Sequence, residues 1–169
     1  MKSTKTLAYG GIISALSIVL LLIAAYVEVV DISAVVVVSL GIVYMQIEFG
    51  TKAALTTFFA VSFLAGILLP SKIPALMYIC FGGWYPIVKR FVERLSLVVS
   101  YIVKIVVFNA ALLLYALTTL YVLMIEMPND TLNLVLILTA NLVFLVYDYV
   151  LSRLITVYIR SIRNRFKKF

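Results

Sequence analysis

The chain is 169 residues long, 65% hydrophobic and only 12% charged, with a mean hydropathy of +1.19. Soluble domains are about 45–50% apolar, so this composition calls for a bilayer as solvent and leaves no room for a soluble catalytic domain. The net charge of +7 sits at the ends of apolar runs, which points to membrane orientation and lipid rather than nucleic acid. One cysteine excludes an internal disulfide and a cysteine metal cluster, and the lack of histidine excludes His-based triads, His-ligated zinc and haem.

A spanning helix needs about 20 apolar residues, so the length suits a single transmembrane domain over residues 1–169, with six spans and short loops. The first span is predicted at about 7–27, after Lys2 and Lys5, and is longer than the apolar core of a signal peptide. Glu28 and Asp31 form an acidic turn before a valine-rich second span at about 32–47. Valine favours strands, but an unpaired strand in lipid leaves its backbone polar groups unsatisfied, so a helix is expected. Gln46, Glu48, Gly50 and Lys52 mark the next loop. The third span, about 53–69, is closed by Pro70 and Pro74.

The fourth span, about 75–88, holds the most informative stretch: Phe81-Gly82-Gly83-Trp84-Tyr85-Pro86, running into the basic cluster Lys89, Arg90 and Arg94. A proline within a helix removes one backbone hydrogen bond and clashes with the preceding turn. In lipid that loss is tolerated only beside protein or a water-filled cavity, so this segment is expected to face the inside of the bundle. The fifth span, about 97–125, ends at Glu126-Met127-Pro128-Asn129-Asp130, and the sixth, about 132–158, ends in a basic tail. Asn129-Asp130-Thr131 also matches an N-glycosylation triplet, which has no meaning in a bacterium.

With both termini cytoplasmic, the inner segments hold Lys2, Lys5, Lys52, Lys89, Arg90, Arg94, Arg160, Arg163, Arg165, Lys167 and Lys168. The outer loops then hold only Lys72, while Glu28, Asp31, Glu126 and Asp130 also fall outside. This asymmetry follows the positive-inside rule and requires an even number of spans. The expectation is an all-α integral membrane protein, a six-helix multi-pass bundle.

Polar groups within spans are costly and mark function or a buried pair. Lys104 lies about two helical turns into the fifth span, and Asp148 lies near the inner end of the sixth, at comparable depth by the rise of about 1.5 Å per residue. A buried Lys104–Asp148 ion pair is predicted. Asn141, Asp148 and Ser152 share one face of the sixth span, and Asn109 lies near mid-membrane on the fifth. Tyr78, Trp84, Tyr85 and Tyr115 supply aromatic walls. On the first span, Gly10/Ser14 and Gly11/Ala15 are overlapping pairs of small residues four apart, a strip where another helix can approach closely.

Length, six short-looped spans, inner termini and a basic end together resemble the substrate-binding (S) component of energy-coupling-factor (ECF) transporters. The segment Gly11-Ile12-Ile13-Ser14-Ala15 is similar to that family's Ala-xxx-Ala patch, with glycine in place of the first alanine. The resemblance implies capture of a vitamin-like micronutrient from outside a prokaryotic plasma membrane. Energy would come from separate ATPases through a transmembrane coupling subunit that meets Gly11 and Ala15. It also implies a substrate site among the outer parts of spans four to six, for which Tyr78, Trp84, Tyr85, Asn109, Tyr115 and Asn141 are the candidates. No catalytic residue, cofactor or metal is expected. The lack of histidine disfavours nickel or cobalt, and the uncharged outer half of those spans suggests a neutral or aromatic ligand. A non-catalytic scaffold subunit is the alternative; a membrane-embedded enzyme would have only Asp148 and Lys104 to build on.

Overall fold

In a computed structural model, which describes residues 2–124 and 130–163, the chain is all-helical, 89% helix, with no strand among the described residues. Contacts divide it into two compact units, Met1–Ile125 and Glu126–Phe169. The first contains α1 (Lys2–Tyr26), a 3-10 turn at Glu28–Val30, α2 (Asp31–Glu48) and α3 (Thr51–Leu68). It continues with α4 (Ile73–Met77), a π-helical turn at Tyr78–Gly82, α5 (Tyr85–Val92) and α6 (Leu97–Tyr121). The second contains α7 (Asp130–Val157) and a π-helical turn at Tyr158–Arg163.

Five helices are long and apolar enough to cross a membrane: Thr4–Tyr26, Asp31–Glu48, Thr51–Leu68, Leu97–Tyr121 and Leu134–Arg160. They correspond to the first, second, third, fifth and sixth expected spans. The fourth is not one helix, because α4 and α5 are separate short pieces joined through the π turn. The valine run 35–38 is helical, as the bilayer argument required. The sequence around residues 125–129 and the tail at 164–169, including Asn129, lie outside the described residues.

Helix α2 is the axis of the first unit. Half of its apolar window is buried, against about a quarter for each of the other four long helices, and α2 packs against α1, α3, α4, the first π turn and α5. Its buried positions Val35, Val38, Ile42 and Met45 recur every three or four residues, which places them on one face. They meet Ile18 and Leu21 of α1, Phe58, Val61 and Ala65 of α3, and Tyr78 and Ile87. In lipid such packing rests on close fit rather than on expulsion of water. The fit is tight where α1 crosses α2, since a methyl group at Gly41 would come within 2.8 Å of Ile13 Cγ2.

The turns are set by local chemistry. Gly50 adopts φ +90°, a conformation that disfavours any side chain, and it lets α3 start with only two residues between it and the end of α2. Around this turn the rings of Tyr9, Tyr44 and Phe49 cluster with centroids 5.4–6.3 Å apart. At the other end, α3 stops at an extended Leu69 before Pro70, and Lys72 Nζ donates to the carbonyls of Gly66 at 2.9 Å and Leu69 at 2.7 Å. The lysine thereby satisfies carbonyls that a helix terminus leaves open, and its charge complements the negative end of the helix dipole.

In the second unit, polar side chains bond back to the helix that carries them. Thr139, Ser152 and Thr156 donate to the carbonyls of Val135, Asp148 and Ser152 at 2.8–3.0 Å. This is how hydroxyls are accommodated at membrane depth.

Replacing Lys72 with Met should lower the thermal midpoint of the purified protein by about 2–4 °C. That corresponds to loss of a terminal charge worth about 1 kcal/mol in a protein of this size. An unchanged midpoint in a detergent thermal-unfolding assay would show that the two carbonyl bonds carry no net stability.

Candidate functional site

The broken fourth segment is the most unusual local structure in the first unit. Gly83 N donates to Tyr78 O at 2.8 Å, five residues back, and Ile87 N donates to Trp84 O at 3.0 Å, three residues back. The hydrogen-bond period thus changes across Gly83–Ile87, as it does at π turns, which recur at functional sites. Pro86 does not kink a helix interior here. It sits in the first turn of α5, where its missing N–H has no helical partner to lose. Pro74 has the same place in α4.

The two glycines make the break possible by letting neighbours close over it. A methyl group at Gly82 would overlap Val35 Cγ1, and one at Gly83 would overlap the Phe58 ring and reach 2.7 Å from Tyr78 Cζ. Trp84 closes the other side, its Nε1 donating to Cys80 O at 2.8 Å. Phe81 joins the cluster, its ring 4.5 Å from Tyr85 and 5.2 Å from Phe108 of α6.

Of the substrate-site candidates, Tyr78, Trp84 and Tyr85 are brought together on this break. Tyr78 and Tyr85 are fully buried, and the Tyr78 hydroxyl has no hydrogen-bond partner among the described residues, nor has the buried hydroxyl of Ser62 on α3. Trp84 is half-buried. On α6, Asn109 is half-buried and donates from Nδ2 to Ile105 O at 2.9 Å. Tyr115, also half-buried, lies within electrostatic range of Asp31 and Cys80, and Thr119 donates to its carbonyl at 2.9 Å. Asn141 belongs to α7 in the second unit, where Nδ2 donates to Ile137 O at 2.9 Å.

Charges meet at the opposite end of α5. Lys89 Nζ lies 2.9 Å and Lys104 Nζ 3.3 Å from the same oxygen, Glu93 Oε1. Both lysines are buried, whereas the glutamate side chain is 40% exposed. The expected Lys104–Asp148 pair would join residues of the two units; within the first unit Lys104 bonds Glu93. Asp148 is buried on α7 with Phe144 and Leu151. Lys89 belongs to the basic cluster that ends the fourth segment, and its i,i+4 spacing to Glu93 is the sequence signal for this bond. Burial pulls the Glu93 pKa up, but the hydrogen bonds and charges of Lys89 and Lys104 outweigh it and hold the carboxyl below the ordinary glutamate range.

On α1 the two small-residue pairs behave differently. Gly10 faces Thr57 Oγ1 and Met45 Cε at 3.4 and 3.5 Å, and Ser14 is buried. Gly11 has no atom within 4 Å of where its side chain would be, and Ala15 is exposed. Among the described residues no group of three or more histidine, cysteine or acidic side chains could hold a metal ion. No protein-family model, curated protein or solved structure matches the chain.

Two outcomes are expected. Gly82→Ala should cost about 1–3 kcal/mol through overpacking against Val35, whereas Gly11→Ala should be neutral or slightly stabilising, as measured by thermal unfolding. A carboxylate held below its ordinary pKa stabilises the fold above its unfolded-state pKa, and that contribution disappears as pH falls through the folded-state value. The wild-type midpoint should therefore drop as pH is lowered from about 6 to 3, with a shallower drop in Glu93→Gln. Parallel profiles would mean that the two lysines do not hold Glu93 in its charged form.

Proposed function

We propose that the protein is a multi-pass membrane subunit of the ECF S-component type, capturing a small neutral or aromatic micronutrient for uptake driven by separate coupling and ATPase subunits. In this reading α4, the π turn and α5 together form the fourth of six spans, and both termini are cytoplasmic, as the distribution of lysine and arginine favours. The single observation that carries the proposal is on α1. Gly10 and Ser14 are consumed by packing within the chain, yet Gly11 and Ala15, one residue further round, leave a small-residue strip open to another helix. That strip is where the coupling subunit would sit.

The half-buried Trp84, Asn109 and Tyr115 are the residues of the first unit best placed to meet a ligand. Tyr78 and Tyr85 act behind them by holding the break. Their complete burial favours one rival, a non-catalytic scaffold that shares the open strip but binds no small molecule.

The test has two arms. Gly11→Leu should leave the thermal midpoint of the isolated protein unchanged while reducing co-purification with a coexpressed coupling subunit at least tenfold; undiminished co-purification would remove the strip from the interface. Thermal-shift screening against a panel of vitamins should give a stabilised protein with one of them, and Trp84→Ala should abolish that shift. Partner capture without any ligand shift would leave the scaffold.

A further inference from the structure

Helix α5 is a short body with an interruption at each end. Upstream, the backbone bonds change from five residues back at Gly83 to three residues back at Ile87, and Pro86 between them contributes no N–H. Downstream, Arg94 N and Leu95 N reach only three residues back, at 3.2 and 3.0 Å, and Ser96 turns extended with ψ 151° before α6 begins. Continuous i−4 bonding is what makes a helix stiff, and sharp bends concentrate where it fails. The eight residues of α5 are thus joined to α4 and α6 by two compliant connections.

Polar ties reach from α5 and the turn after it to the rest of the first unit. Gln46 of α2, itself buried, donates from Nε2 to Ile87 O at 3.2 Å. Glu93, just past α5, accepts from Lys104 of α6 at 3.3 Å through the same oxygen that receives Lys89 at 2.9 Å. One carboxylate oxygen therefore closes the end of α5 onto α6. With its side chain 40% exposed, Glu93 is within reach of water or a competing cation, so this tie can be released without first extracting the apolar face.

We infer that α5 is a hinged segment, pivoting on the Gly83–Pro86 interruption and latched to α6 by the shared carboxylate of Glu93. The inference stands apart from the transport reading, since a scaffold could use the same movement. The chain carries its own reporters at the pivot: its one tryptophan, Trp84, donates to the carbonyl of its one cysteine, Cys80, which is buried.

In lipid nanodiscs, Glu93→Gln should raise the rate of maleimide labelling at Cys80 at least tenfold over wild type and shift the emission of Trp84. Lys72→Met, which loosens the far end of α3, should leave both within twofold of wild type. Equal labelling in wild type and Glu93→Gln would overturn the latch, as would an equal rise in Lys72→Met, which would mark general loosening instead. A second measurement needs no variant. Amides of residues 87–92 in the wild-type protein should exchange with deuterium as a block, at least tenfold faster than those of residues 38–45 in α2. Equal protection of the two stretches would overturn the hinge even if Glu93→Gln fails to fold.

Discussion

A helical backbone that breaks inside a packed apolar unit must have its freed polar groups and open space closed by neighbouring protein, because apolar side chains offer neither donor nor acceptor. Much of the first unit is arranged around that requirement. The π turn at Tyr78–Gly82 and the short α5 interrupt the helical ladder, and the surrounding helices supply what the interruption needs. Gln46 reaches from α2 to the Ile87 carbonyl, the Trp84 indole returns to Cys80, and Val35 and Phe58 fill the space left by two glycine side chains. α2 and α3 provide most of this closure, and α2 is the most buried of the five long helices.

The same economy governs the charges. Lys72, at the end of α3, is spent on two open carbonyls, and Lys89 and Lys104 converge on one glutamate. Helix α1 divides its small residues between two tasks. One pair fits the helices of its own chain, and the adjacent pair stays open.

The positions of the long helices were legible because they follow from length and hydropathy. Four of the expected spans begin within a few residues of α2, α3, α6 and α7, and the first, about 7–27, ends one residue past α1. The Gly-Gly-Trp-Tyr-Pro stretch was recognisable as a break, but its form was not. Proline suggested a kink, whereas the chain uses a π turn and lets Pro86 open a new helix; the change of hydrogen-bond period depends on how Val35 and Phe58 pack, which sequence spacing does not encode. The site was legible only in part. Tyr78, Trp84 and Tyr85 come together because they are neighbours in sequence, while Phe108 and Phe58 reach the same place from other helices. Glu93 was overlooked because charges just outside an apolar run look solvated, and only the fold shows two buried ammonium groups turning toward it.

The broken segment also bears on how the protein is made. Five residues of α4 and eight of α5 are each far shorter than the bilayer core, which takes about 20 residues of continuous helix to cross. Alone in lipid, this stretch would leave the Ile87 carbonyl, which Gln46 of α2 now meets, without a donor. Its insertion is therefore tied to the three helices that precede it in the chain. Those three helices pack on one another: α2 and α3 are joined by the turn at Gly50, and α1 lies against both. The regular helices are the surface against which the irregular one is held.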